Sequence, residues 1–209
     1  IDNRCLLDAL ARHPQRFKGV AVVPAHTSLA ELKALQAQGV VGIAFNPALH
    51  GLAYYADIDG LLGHLATLGL WAQFQVAGDQ LAELLPRLER LPLKLMIDHC
   101  GRPVLADGPD APGVHALLQL AQGGRTLLKL SGFAKFSLQG FPFEDCRAHA
   151  QRMLSVFGAE HCIWASDWPY LRADYRLDYG TLLALADDWF TEAQRRQIMW
   201  DTPLKIFQG

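Results

Sequence analysis

Residues 93–103 read LKLMIDHCGRP, an apolar run that ends in a cluster of polar and titratable side chains. The apolar half is typical of a strand that is covered on both faces, as in the parallel sheets of α/β folds. Gly101 and Pro103 then interrupt regular structure. The strand therefore delivers His99 and Arg102 to its carboxyl end, where α/β folds bind their ligands.

The rest of the chain alternates strand-like and helix-like segments around this stretch. Leucines recur at helical spacing between the apolar runs, which predicts helices that cover the sheet. Pro203 is expected to end the last helix. The other five strands are predicted at residues 17–23, 40–45, 70–76, 126–130 and 162–165.

Connections that contain a helix join parallel strands, so the predicted fold class is α/β. A doubly wound nucleotide-binding sheet would show a glycine-rich first turn such as GxGxxG, and the sequence has none. We therefore expect a (β/α)8 TIM barrel. That fold needs about 250 residues, so we expect about six β/α units here, with the two N-terminal units missing and residues 1–209 forming a single domain.

Composition narrows the class of function. The 209 residues are 51% hydrophobic and 19% charged, with a net charge of −2. This balance predicts a globular protein with no nucleic-acid partner and no membrane partner. With no signal peptide expected, the predicted location is cytoplasmic, and a homo-oligomer is possible. The four cysteines are scattered, which disfavours a zinc finger or a disulfide scaffold.

Two more polar clusters follow predicted strands. Asp167 comes where an apolar strand opens into a loop, so it could act as a general base or as a metal ligand, or simply cap a turn. Lys135 could neutralise a substrate carboxylate or a developing oxyanion, or be a solvated loop residue. His99 has a structural alternative too, as a satisfied buried histidine. Cys100 as a nucleophile is disfavoured, because no base is spaced to activate it.

Three segments taken together resemble the amidohydrolase superfamily, in particular its branch of 2-pyrone-4,6-dicarboxylate lactonases and sugar lactonases. They are residues 98–103 (DHCGRP), 129–132 (KLSG) and 164–169 (WASDWP). The resemblance implies that His99 ends barrel strand six and Asp167 ends strand eight. It also implies that Lys135 occupies the position where the pyrone lactonase has an arginine that binds the substrate. The six strands then correspond to strands three to eight, without the His-x-His pair of strand one.

The chain departs from that pattern at two strands. Ala44 stands where the resemblance predicts an arginine, and a glutamine, Gln73 or Gln75, stands where it predicts a tyrosine. With Ala44 at that position and a lysine at position 135, a dicarboxylate substrate is disfavoured. The candidate substrate contacts are Lys135, Arg102, Asn46, Gln75 and His50.

The predicted function is a hydrolase that opens a lactone of a small carboxylated or sugar-acid substrate. Asp167 would draw a proton from water, and His99 would polarise the carbonyl or help to hold a metal or the water. His99 and Asp167 could hold one divalent metal, zinc or manganese, and a metal-independent mechanism is an open alternative. A metal-dependent decarboxylase of the same superfamily and a non-catalytic binding module also remain open.

Overall fold

Six parallel strands form a single sheet in which they lie side by side in chain order. The structure is a computed structural model that describes residues 1–171, 173 and 175–207. The predicted α/β class is confirmed, and each observed strand lies within its predicted segment. The strands are β1 Gly19–Ala21, β2 Val40–Phe45, β3 Trp71–Phe74, β4 Lys94–Ile97, β5 Thr126–Leu130 and β6 Cys162–Trp164.

Helices connect the strands and cover one face of the curled sheet. They are α1 Arg4–Arg12, α2 Leu29–Ala37, α3 Pro47–His50, α4 Asp59–Leu68, α5 Gln80–Leu88, α6 Pro112–Gln122, α7 Glu144–Phe157, α8 Tyr179–Trp189, α9 Glu192–Arg196 and α10 Thr202–Phe207. A π-helical turn, Gln197–Asp201, joins the last two.

Local sequence explains several helix ends. The Ser28 hydroxyl accepts from the Glu31 backbone N–H, and the Glu31 carboxylate accepts from the Ser28 N–H, so a capping box begins α2. Pro203 does not end the last helix, contrary to expectation. It is the second residue of α10, which continues directly from the π-helical turn.

The two faces of the sheet bury different amounts of apolar surface. Phe74, Ile97 and Leu128 face the helices and belong to the main core. The opposite, concave face carries a smaller cluster of Met96, Leu127 and Ile163, against which Ile206 and Phe207 of α10 pack. Since burial of each large apolar side chain contributes about 2 kcal/mol, most of the stabilisation lies on the helix side. Across the described residues, no helix is long and apolar enough to cross a membrane.

Candidate active site

His99 follows β4 directly and is almost fully buried. Its Nδ1 lies 3.0 Å from the Ser131 hydroxyl, and its Nε2 lies 3.5 Å from Oδ1 of Asp167. A carboxylate facing Nε2 favours the tautomer with its proton on Nε2, so that Nδ1 accepts from the serine hydroxyl. Burial lowers the pKa of His99, although Asp98 and Asp167 oppose this shift. The imidazole is therefore neutral near pH 7.

Asp167 lies just beyond β6, between a neutral ring and a cation. Its Oδ1 faces His99, and its Oδ2 lies 3.2 Å from Nζ of Lys135. About a quarter of the Asp167 side chain remains exposed. Its φ of 61° places a non-glycine residue in the left-handed region, a conformation that clusters at functional sites. The carboxylate is thus oriented by two partners and still accessible.

Lys135 ends the short 3₁₀ turn Phe133–Lys135 that follows β5. Besides its contact with Asp167, its ammonium donates to the backbone carbonyl of Leu171 at 2.9 Å. Lys135 therefore already has two partners in this structure. A cation so engaged holds the Asp167 carboxylate in place before any substrate arrives.

Gly132 lets the imidazole of His99 approach the chain after β5. Its φ is +64°, a conformation that L residues other than glycine rarely adopt. A Cβ added there would overlap the imidazole ring of His99. The glycine is therefore required both by its backbone conformation and by the position of His99.

Arg102 presents the least satisfied donor of the site. Its Nε is buried and, among the described residues, has no hydrogen-bond partner, while one terminal nitrogen lies 3.5 Å from the Lys135 carbonyl. Burial lowers the pKa of Arg102, and the negative charge of Asp167 opposes that shift. A half-buried guanidinium that lines the cleft is suited to hold an anionic group.

A cleft of about 390 Å³ opens beside these groups at the carboxyl ends of the strands. Five of the seven predicted site residues line this cleft. His99 does not line it but lies behind Asp167, which does. The lining residues are Asn46, Ala48, Leu49, Gln75, Arg102, Ala134, Lys135, Asp167, Trp168, Pro169 and Leu171.

His50 is the predicted site residue that the structure does not bring to the cleft. Its side chain is exposed, and its ring stacks on Tyr54 with ring centroids 4.7 Å apart. Asn46 does line the cleft, but its side-chain oxygen also accepts from the Leu49 N–H at the start of α3. Cys100 is a poor nucleophile, because full burial raises the pKa of its thiol to about 12.

Sequence reasoning missed a buried polar network next to His99. Lys129 Nζ lies 2.9 Å from Asp98 Oδ1, as an ion pair without hydrogen-bond alignment. Gln73 donates to Asp98 Oδ2 at 3.0 Å and accepts from Lys129 at 2.8 Å, which closes a ring of three side chains. Of the two glutamines considered for this strand, Gln75 reaches the cleft and Gln73 belongs to the network. The signal that could have predicted this network is the alternation of side chains along β3 and β5, which places Gln73 and Lys129 on the same face of the sheet.

A catalytic metal needs more ligands than this site offers. Catalytic zinc sites use three protein ligands, and the described residues contain no group of three His, Cys, Asp or Glu side chains that could hold a metal ion. His99 and Asp167 would supply two, while the Lys135 ammonium already binds the second oxygen of Asp167. The described residues therefore do not by themselves fit a zinc or manganese centre.

Two curated proteins to which the chain is similar are named for the hydrolysis of lactones. The chain is 29% identical over 214 residues to a 4-sulfomuconolactone hydrolase of Hydrogenophaga intermedia, covering 99% of this chain and 70% of that protein. It is 28% identical over 230 residues to an L-fucono-1,5-lactonase of Burkholderia ambifaria, covering 100% of this chain and 73% of that protein.

A solved structure shares the fold. It is that of a probable 2-pyrone-4,6-dicarboxylic acid hydrolase from Acinetobacter baumannii with citric acid bound. It superposes with a TM-score of 0.86 at 27% identity, covering 100% of this chain and 79% of that one. The Amidohydrolase family model matches residues 1–209. With that match over its whole length, and with a histidine after β4 facing an aspartate after β6, the chain belongs to the amidohydrolase family.

Proposed function

We propose that the protein is a hydrolase that opens the ring of a small carboxylated lactone by attack of water. The observation that carries this proposal is the placement of the Asp167 carboxylate between the His99 imidazole and the Lys135 ammonium, at the edge of the cleft. The two relatives reported above are both named for lactone substrates. The names of these relatives support the reaction class. The type of substrate is inferred from the side chains that line the cleft.

Asp167 is the proposed general base. Its carboxylate takes a proton from a water molecule, whose oxygen attacks the carbonyl carbon of the lactone. The Nε2–H of His99 and the ammonium of Lys135 then stabilise the negative charge that develops on the carbonyl oxygen. The ring C–O bond breaks, and the proton held by Asp167 passes to the departing alkoxide oxygen. The product is a hydroxy acid, and no outside reagent except water is consumed.

Arg102 is the proposed contact for the substrate carboxylate. Arg102 lines the cleft, one of its terminal nitrogens has a long contact of 3.5 Å, and its Nε has no hydrogen-bond partner among the described residues. The Lys135 ammonium, by contrast, already has two partners. Gln75 and Asn46 line the same cleft and can hydrogen-bond the remaining polar atoms of a small molecule. His50 has no place in this proposal.

We further infer that two more β/α units close the barrel between β6 and β1. The support is the concave face of the sheet, where a groove of about 430 Å³ runs along inward side chains of all six strands. Half-buried apolar side chains such as Val20 and Val41 line this groove, and a closed barrel would bury them further. Such units could also bring further ligands toward His99 and Asp167, so metal analysis belongs with every assay.

The test is hydrolysis of a panel of carboxylated, sugar-acid and neutral lactones by the full-length protein, with metal content measured alongside. Turnover of a carboxylated lactone that is lost in Asp167→Asn and kept in Asp110→Asn supports the proposal. Asp110 is a matched control because its side chain is 85% exposed and lies 3.9 Å from the exposed His115, away from the cleft. Loss of carbon dioxide from a substrate, or binding of a lactone without turnover, would contradict it.

A further inference from the structure

The turn that carries His99 and Arg102 is built entirely in the left-handed region. Four consecutive residues have positive φ: 55° at His99, 53° at Cys100, 76° at Gly101 and 44° at Arg102. Only Gly101 adopts this conformation freely, and each of the others costs about 1 kcal/mol. Such a turn persists only when its surroundings hold it in place.

Backbone contacts hold the turn at its two ends. The Asp98 N–H donates to the Phe74 carbonyl at 3.0 Å, and the Gly78 N–H donates to the Arg102 carbonyl at 2.9 Å. These bonds fix where the turn enters and leaves the sheet edge. Within the turn, the Gly101 N–H donates to the Asp98 carbonyl at 3.0 Å, and the Cys100 thiol lies 3.7 Å from the Lys129 carbonyl. The carbonyl of Cys100 itself points toward the helices.

His149 contacts that carbonyl from the helix side. This residue lies on α7, and its Nε2 is 2.9 Å from the backbone carbonyl of Cys100. A carbonyl oxygen only accepts, so Nε2 of His149 carries the proton. The edge-to-face contact with Phe136, at a centroid distance of 6.2 Å, orients the ring.

His149 takes no part in the chemistry itself. It does not line the cleft, and its ring bonds a backbone atom rather than His99, Arg102 or Asp167. Burial lowers the pKa of His149, which keeps the ring neutral beside the apolar core. Its contact is therefore suited to setting the position of the turn without adding charge to the site.

We propose that His149 is a positioning residue that holds the 99–102 turn so that His99 faces Asp167 and Arg102 lines the cleft. The proposal rests on the proposed function for its effect on turnover. The expected effect of His149 on the position of the His99 imidazole rests on the geometry alone. A small displacement of a reacting group is enough to reduce the rate, and a shift of about 1 Å can cost 10²-fold.

The test compares His149→Phe with His149→Gln in the full-length protein. Phenylalanine keeps a ring and removes the donor, while glutamine keeps an N–H donor that can reach the Cys100 carbonyl. We expect kcat/KM on the best lactone to fall about tenfold or more in His149→Phe. In His149→Gln, kcat/KM should be at least half of the wild-type value. His115→Phe, at an exposed position on α6, is the matched control and should behave as wild type.

A second readout does not depend on activity. In protein labelled with ¹⁵N-histidine, the side-chain resonances of His99 should shift in His149→Phe and return toward their wild-type positions in His149→Gln. Unchanged His99 resonances in a folded His149→Phe protein overturn the proposal, as does a glutamine variant that restores neither resonances nor rate. If no lactone is turned over, the proposed function fails, and the resonances still decide the role of His149.

Discussion

Two lysine–aspartate pairs lie near the carboxyl ends of the strands, and they differ in what remains free around the carboxylate. Lys129 and Asp98 are 2.9 Å apart, and Lys135 and Asp167 are 3.2 Å apart. The Asp98 oxygens meet Lys129 and Gln73, and the side chain is 8% exposed. The Asp167 carboxylate meets His99 and Lys135, lines the cleft and is 24% exposed.

This difference separates the structural pair, Lys129 and Asp98, from the pair that we propose to be reactive, Lys135 and Asp167. Lys129 lies within β5, so its side chain projects from the concave face of the sheet, where it meets Asp98 and Gln73. Lys135 lies in the turn beyond the same strand, where the chain has left the sheet and borders the cleft. The residue types are the same, and position relative to the strand end decides the role.

The largest effect should come from breaking the reactive pair. Asp167→Asn keeps the size of the side chain and removes the base, so kcat should fall by about 10² to 10⁴. The free energy of unfolding should change by less than about 1 kcal/mol, because the pair is partly exposed. Steady-state kinetics and urea unfolding measure the two quantities. A variant with wild-type kcat would remove Asp167 from the mechanism.

Breaking the structural pair should act on stability instead. Lys129→Met leaves the Asp98 carboxylate buried without its cation, which should lower the free energy of unfolding by about 3 kcal/mol. Adding Asp98→Asn should recover most of this loss, because an amide can still accept from Gln73. Denaturant unfolding measures both variants, with the exposed Lys33→Met as control. Equal stability of the single and double variants would show that the pair does not act as a unit.

A third variant separates the two cations of the cleft. Arg102→Met should raise KM for carboxylated lactones by about 10-fold or more, since a hydrogen bond to a charged group contributes about 1.5–3 kcal/mol. Lys135→Met should raise KM less, because its ammonium already serves Asp167 and the Leu171 carbonyl. KM for a neutral lactone is the control and should not change in Arg102→Met. The reverse ranking of the two variants would assign the anion to Lys135.

The smallest effect concerns pH and stability. Burial lowers the pKa of His99 and of His149 in the folded state, so the unfolded chain binds protons first as the pH falls. The free energy of unfolding should therefore begin to drop below about pH 6.5 and level off below the folded pKa values. Unfolding measured from pH 8 to pH 5 tests this, and His149→Gln should show a shallower decline. An identical decline in that variant would mean that His149 does not contribute.

The apolar runs and the polar clusters after them predicted most of the fold and much of the site. Each apolar run has the length of a buried strand. Because the strands are parallel, His99, Lys135 and Asp167, which follow three of them, lie at the same end of the sheet. The helix α1 was not predicted, and Pro203 was interpreted as a stop. In α1 the signal was present, because Leu6, Leu7 and Leu10 pack against the core from one side of the helix. At Pro203 the chain continues from the π-helical turn into α10.

The rest depended on contacts between residues far apart in the chain. Gln73, Asp98 and Lys129 meet because three neighbouring strands share a register, which one sequence does not specify. His149 lies on the buried side of α7 among apolar residues, where sequence alone cannot distinguish it from a core histidine. His50 was drawn into the candidate list by family resemblance, and its stacking on Tyr54 keeps it outside the cleft.

The central claim is that Asp167 activates water rather than attacking the substrate itself. A single turnover of the best lactone in H₂¹⁸O, with the full-length enzyme in excess, tests it directly. Activated water places one ¹⁸O atom in the product carboxylate during that first turnover and leaves Asp167 unlabelled. An unlabelled first product, with ¹⁸O found instead in the Asp167 carboxylate, would contradict the account and make Asp167 a nucleophile.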